Sequence, residues 1–118
     1  MRAAPRDEDL AAMTDPAFVR VAPLAELPPN TMRAFAIGER SVLVCHVKDG
    51  VYALDNLCTH GDARLDEGRL RGARIICPLH GASFDCRSGA VLGAPATRPL
   101  TRHAARIVDG WVEVALAG

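Results

Sequence analysis

A chain of 118 residues and 12.6 kDa fits one compact domain and excludes a large enzyme with a deep substrate domain. Apolar residues make up 49% and charged ones 24%, the balance of a soluble globular protein. Fourteen basic against fourteen acidic side chains leave no net field to draw in nucleic acid, and no apolar run approaches the length of a membrane span. No charged start leads into an apolar stretch, so a secretory signal is not expected and a cytoplasmic location is.

Residues 1–16 hold Arg6, Asp7, Glu8 and Asp9 with two prolines and no apolar period. They read as a flexible N-terminal tail with at most one helical turn near Leu10 to Met13. From Phe18 the pattern becomes short strands. Phe18 to Val21 alternates apolar and polar before the break at Leu27-Pro28-Pro29-Asn30, and Met32 to Ile37 and Ser41 to Lys48 flank a Gly38-Glu39 turn. Asp49-Gly50 predicts a hairpin leading into Val51 to Leu54, and Asp109-Gly110 predicts another joining Arg102 to Val108 with Trp111 to Leu116. Many short strands without a long helix predict an all-β sandwich or barrel.

The middle third, Leu57 to Leu100, reads as loops mounted on strands and holds three of the four cysteines and two of the four histidines. Two segments carry its chemistry: Cys58-Thr59-His60-Gly61 and Cys77-Pro78-Leu79-His80-Gly81. By composition each Cys–His spacing arises about 0.14 times in a shuffled chain, and both together in about 2% of such chains. A glycine directly after each histidine lowers that by about two orders of magnitude.

Each loop offers one thiolate and one imidazole. Two sulfurs on one iron and two nitrogens on the other would be the asymmetric ligation of a Rieske [2Fe–2S] centre. Gly61 and Gly81 would let the backbone turn sharply beside the ligands, Pro78 would stiffen the second loop, and backbone N–H groups could donate to cluster sulfur. With neutral imidazoles the charges of two ferric ions, two sulfides and two thiolates cancel. A four-thiolate cluster is two charges more negative, so the midpoint is expected well above the roughly −400 mV of plant-type ferredoxins. The same four residues can also hold one zinc ion as a structural staple, although zinc motifs usually pair like ligands on each loop. A disulfide between Cys58 and Cys77 would leave both histidines unexplained.

With Phe84-Asp85 and Ser88-Gly89, these motifs resemble Rieske-type ferredoxins, and more closely the small ferredoxin components of multicomponent aromatic-ring-hydroxylating dioxygenases. Leu27-Pro28-Pro29, Asp49-Gly50 and Cys58 to Asp62 match that subgroup, and the likeness runs from about Phe18 to Leu116. The resemblance implies a Rieske domain over 17–118, with a β-sandwich base and a smaller cluster-binding subdomain at about 57–96. It implies one [2Fe–2S] cluster per chain, bound by Cys58, His60, Cys77 and His80, with both histidines at an exposed tip. The implied role is one-electron carriage from an NAD(P)H-dependent flavoprotein reductase to a terminal oxygenase in aromatic hydrocarbon catabolism, with no catalysis of its own. The small Rieske subunit of a nitrite-reductase-like complex is the alternative redox role, and a zinc-stapled interaction domain the non-redox one.

Respiratory Rieske proteins carry an additional cross-linked cysteine in each loop; the matching positions here are Ala63 and Leu79. Their serine and tyrosine hydroxyls that bond cluster or ligand sulfur correspond to Ala82 and Phe84, which leaves the added electron less stabilised. The midpoint is therefore expected at the low end of the Rieske range. Leu79, Pro95 and Ala96 are expected to form an apolar rim for transient partners. Cys45 and Cys86 read as buried structural thiols, His46 as facing away from Cys45, His103 as a surface residue, and Trp111 as packing on the base. Arg64, Arg69, Arg71 and Arg74 read as solvated strand-edge charges, and Asp85 as a loop-fixing acceptor.

Overall fold

The computed structural model describes residues 18–59, 61–79 and 81–117; the tail expected over 1–16, with its possible helical turn, lies outside them. Ten strands follow in chain order: β1 (Phe18–Pro23), β2 (Thr31–Ile37), β3 (Arg40–Val47), β4 (Gly50–Asp55), β5 (Arg69–Arg71), β6 (Arg74–Ile76), β7 (Ser83–Asp85), β8 (Val91–Gly93), β9 (Arg102–Val108) and β10 (Trp111–Ala115). The larger antiparallel sheet has the order β1-β10-β9-β4-β3-β2 and the smaller β5-β6-β7-β8. Single 3₁₀ turns at Leu24–Glu26 and Leu65–Glu67 are the helical elements among the described residues. The all-β expectation holds.

The large sheet follows its sequence pattern closely. Asp109 and Gly110 both take positive φ, 52° and 80°, as a two-residue hairpin turn matched to strand twist requires. The other Asp-Gly pair behaves differently: Val47 pairs with Gly50, so Lys48 and Asp49 form the turn and Gly50 opens β4 at φ 146°. Packing sets that register. It places Val51 and Ala53 on the face of Val44, whereas a one-residue slip would turn them outward.

Strand β3 is buried on both faces, and that determines where the site sits. Val42 and Val44 join Leu27, Val51, Ala53, Val112 and Val114 in one core, so the sheet curls until β10 meets β3. Leu43, Cys45 and Val47 point the other way. There they pack with Ile75 and Phe84 of the small sheet and with Cys58, Ala63, Leu65, Cys77, Ala82, Cys86, Ala96 and Leu100. The middle third, expected as loops mounted on strands rather than a continuous sheet, therefore contains a four-stranded sheet. Its strands are three residues each, too short for an alternating pattern to register.

His103 corrects the surface reading. Its side chain is fully buried, with both ring nitrogens satisfied: Nδ1 accepts from the Ala117 N–H at 2.9 Å, and Nε2 lies 2.7 Å from Asp55 Oδ1. Arg40 closes the network, donating to Asp55 at 3.0 Å and to the Ala117 carbonyl at 3.2 Å. Burial pushes the Asp55 carboxyl up, but the hydrogen bonds from His103 and Arg40 outweigh it and hold the group below its ordinary 3.8. A depressed folded value stabilises above the unfolded value and is lost as pH falls through the folded one. The wild type should accordingly lose more of its urea midpoint between neutral pH and about 3 than Asp55→Asn does. Parallel losses in the two proteins would remove Asp55 from the acid response.

Candidate metal centre

Two loops of like construction carry the cysteines. In the first, Leu57 bridges Arg64, and the Cys58 N–H donates to the Ala63 carbonyl at 3.0 Å. In the second, between β6 and β7, the Cys77 N–H donates to the Ala82 carbonyl at 2.7 Å. Each cysteine thus gives its N–H to the residue five places ahead, and the two occupy equivalent positions. Gly81 helps the second loop to turn, at φ 74°; Gly61 needs no such freedom, because its φ lies outside the positive region.

Both cysteines face inward, 5% and 2% exposed, and lie in one core with no disulfide between them. Burial raises the Cys77 thiol, a backbone bond from Leu79 opposes it, and Cys58 raises it further. A buried pair of thiols is an unfavourable place for negative charge alone, and a cation between them removes that penalty. The donor set suits an iron bound by two thiolates. His60 and His80 lie outside the described residues.

Two residues that motif reading passed over hold the first loop. Asn56, 1% exposed, has every polar group engaged. Its Nδ2 donates to Ser41 Oγ at 3.1 Å and Asp66 Oδ1 at 2.7 Å, and its Oδ1 accepts from the Asp66 N–H at 2.9 Å. Its backbone N–H reaches the Ser41 carbonyl, and its own carbonyl receives the Leu65 N–H. Arg98 grips the residue before His60: Thr59 Oγ1 donates to the Arg98 carbonyl at 2.6 Å, and Arg98 Nη2 returns a bond to the Thr59 carbonyl at 3.2 Å. Only its place beside Leu57-Cys58 marked Asn56 in the sequence; nothing marked Arg98.

Other expectations divide. Leu79 is 47% exposed, but Ala96 is buried in the core and Pro95 is half-buried, so the apolar rim is not the one expected; Leu57, 58% exposed, is its larger member. Arg64 pairs with Asp66 at 3.1 Å and Arg74 donates to Ser83 Oγ at 2.7 Å, so neither is merely a solvated edge charge. Asp85 does fix its loop, accepting the Arg87 N–H at 2.8 Å. His46 Nδ1 lies 2.7 Å from the Leu27 carbonyl, and Trp111 carries the Arg20 guanidinium 5.2 Å above its ring.

Comparison with known proteins agrees with this geometry. A family model described as the Rieske [2Fe-2S] domain matches residues 17–106. The chain is 39% identical over 89 residues to the anthranilate 1,2-dioxygenase ferredoxin subunit of Burkholderia cepacia, covering 75% of this chain and 82% of that one. The solved ferredoxin of carbazole 1,9a-dioxygenase from Nocardioides aromaticivorans IC177 superposes with a TM-score of 0.80 at 37% identity, covering 83% of this chain and 96% of the other. A ferredoxin solved in complex with the oxygenase of carbazole 1,9a-dioxygenase gives 0.80 at 35% identity, covering 84% and 93%. With paired cysteine loops on a two-sheet β frame, the chain belongs to the Rieske [2Fe–2S] family, is similar to the ferredoxin components of aromatic dioxygenase systems, and has one Rieske cluster as its cofactor.

Proposed function

We propose that this ferredoxin carries single electrons in the cytoplasm from an NAD(P)H-dependent flavoprotein reductase to a terminal ring-hydroxylating dioxygenase. We assign Cys58 and Cys77 to one iron and His60 and His80 to the other, within a cluster-binding part at about 57–96. When bound, the cluster takes up and releases one electron; the protein orients it, shields it and presents it. The observation that carries the reading is the pair of equivalent loops, each with a buried cysteine and an exposed leucine beside it, Leu57 on one and Leu79 on the other. Apolar contacts of that size suit a carrier that must let go of each partner quickly. The similar ferredoxin solved in complex with an oxygenase supports the terminal partner.

The test is reconstitution: chain, flavoprotein reductase, oxygenase, NADH and aromatic substrate. The expected result is reduction of the chain by NADH only with the reductase, followed by reoxidation only with oxygenase and substrate. Reduction without onward transfer to any ring-hydroxylating oxygenase would overturn the reading.

The potential is a second expected outcome. Ala82 and Phe84 are fully buried and carry no hydroxyl. Without hydroxyls at positions 82 and 84 the added negative charge is less stabilised, and the midpoint should lie at about −150 mV. A titration giving a value above about +100 mV would contradict this.

A further inference from the structure

Two guanidinium groups stand at the first cysteine loop, and they differ in how their charge is met. Arg64 pairs with Asp66 at 3.1 Å. Arg98 has no carboxylate partner among the described residues, unlike Arg20, Arg40, Arg87 and Arg106. Its Nη2 donates instead to the Thr59 carbonyl at 3.2 Å. That carbonyl belongs to the peptide joining Thr59 to His60, so an uncompensated positive charge rests on the backbone between Cys58 and His60.

The backbone around Arg98 fixes it against this loop. Thr59 Oγ1 donates back to the Arg98 carbonyl at 2.6 Å, so the two residues are joined by two bonds. Pro99 restricts the chain directly after Arg98. The Leu100 side chain is buried, and its N–H reaches the Gly89 carbonyl at 2.9 Å. The Thr101 carbonyl then accepts the Asp55 N–H at 2.9 Å. Asp55 ends β4, three residues before Cys58, so the segment that carries Arg98 is anchored to the strand that leads into the first loop.

We propose that Arg98 is a fixed counter-charge for the cluster, favouring its reduced form and raising the midpoint. With neutral imidazoles the oxidised cluster has no net charge, and the reduced one carries a single negative charge. A positive charge held beside it lowers the energy of the reduced form and leaves the oxidised one nearly unchanged. Arg98 is exposed, so water and salt weaken the effect to that of a surface charge pair. It adjusts the midpoint within the low range set by the missing hydroxyls at positions 82 and 84. Asp62, exposed in the same loop, acts in the opposite direction, and comparing variants at position 98 holds it constant. The inference rests on Cys58 and His60 as ligands, but on neither a reductase nor an oxygenase.

The experiment is a redox titration of purified, cluster-loaded wild type beside Arg98→Lys, Arg98→Met and Arg98→Glu. The midpoints should follow charge rather than side-chain length: Arg98→Lys close to wild type, Arg98→Met lower and Arg98→Glu lowest. Arg98→Met should shift the equilibrium about threefold toward the oxidised form, which for one electron is about 30 mV. The gap to wild type should narrow between about 0.1 M and about 1 M salt, as the screening length falls from roughly 10 Å to roughly 3 Å. A clamp that merely shapes the loop would lower Arg98→Lys as far as Arg98→Met and leave the gap indifferent to salt; that result would overturn the proposal, as would equal midpoints in all four proteins. Should Arg98→Met load poorly, Arg98→Lys against Arg98→Glu makes the same comparison. Normal visible spectra with unmoved midpoints would sink the counter-charge alone, whereas a wild type without a Rieske spectrum would sink the ligand reading and the counter-charge with it.

Discussion

Cys77→Ala should yield colourless protein with iron at background, while Cys45→Ala, another buried cysteine in the same core, should retain the visible band. The contrast follows from position. Cys77 shares a core with Cys58 and heads a loop whose N–H to Ala82 bond fixes its direction, so losing its sulfur removes half of the thiolate pair proposed for one iron. Cys45 lies in strand β3, outside both cysteine loops. The large sheet has its own core around Val42, Val44, Val112 and Val114, so the Cys77 variant should keep its β-sheet circular dichroism. Iron and sulfide analysis with far-ultraviolet circular dichroism checks both parts. Full iron in Cys77→Ala would remove this residue from the ligand set.

Gly68→Ala should destabilise by about 3 kcal/mol and lower cluster content with it. A methyl group at Gly68 would collide with the Ile76 carbonyl and press on the Pro78 Cδ at 3.1 Å. Neither neighbour can yield cheaply. Ile76 is paired on both sides, with Arg69 in β5 and Ser83 in β7, and Pro78 follows Cys77 directly. Relief therefore means parting β5 from β6 or shifting the second cysteine loop. Urea unfolding, with iron analysis of the same preparations, measures both effects; wild-type stability and full iron would show that the Gly68 approach carries no weight.

The six long strands were legible because each spans five residues or more, bounded by turn residues. The cysteine loops were legible because two Cys–His spacings, each followed by glycine, rarely arise together by chance. What escaped was set by tertiary pairing. Strands β5 to β8 are too short to carry a period. His103 reads as polar and becomes interior only because Asp55 and the Ala117 N–H meet its ring. Ala96, expected at the rim, turns into the core between the sheets.

Pulsed EPR of the dithionite-reduced chain tests the ligand set directly. Two strongly coupled nitrogens, one from His60 and one from His80, on a rhombic signal of low average g are the predicted result. A signal with no coupled nitrogen, or a colourless, EPR-silent protein holding one zinc per chain, would contradict a cluster gripped by two thiolates at one end and two imidazoles at the other.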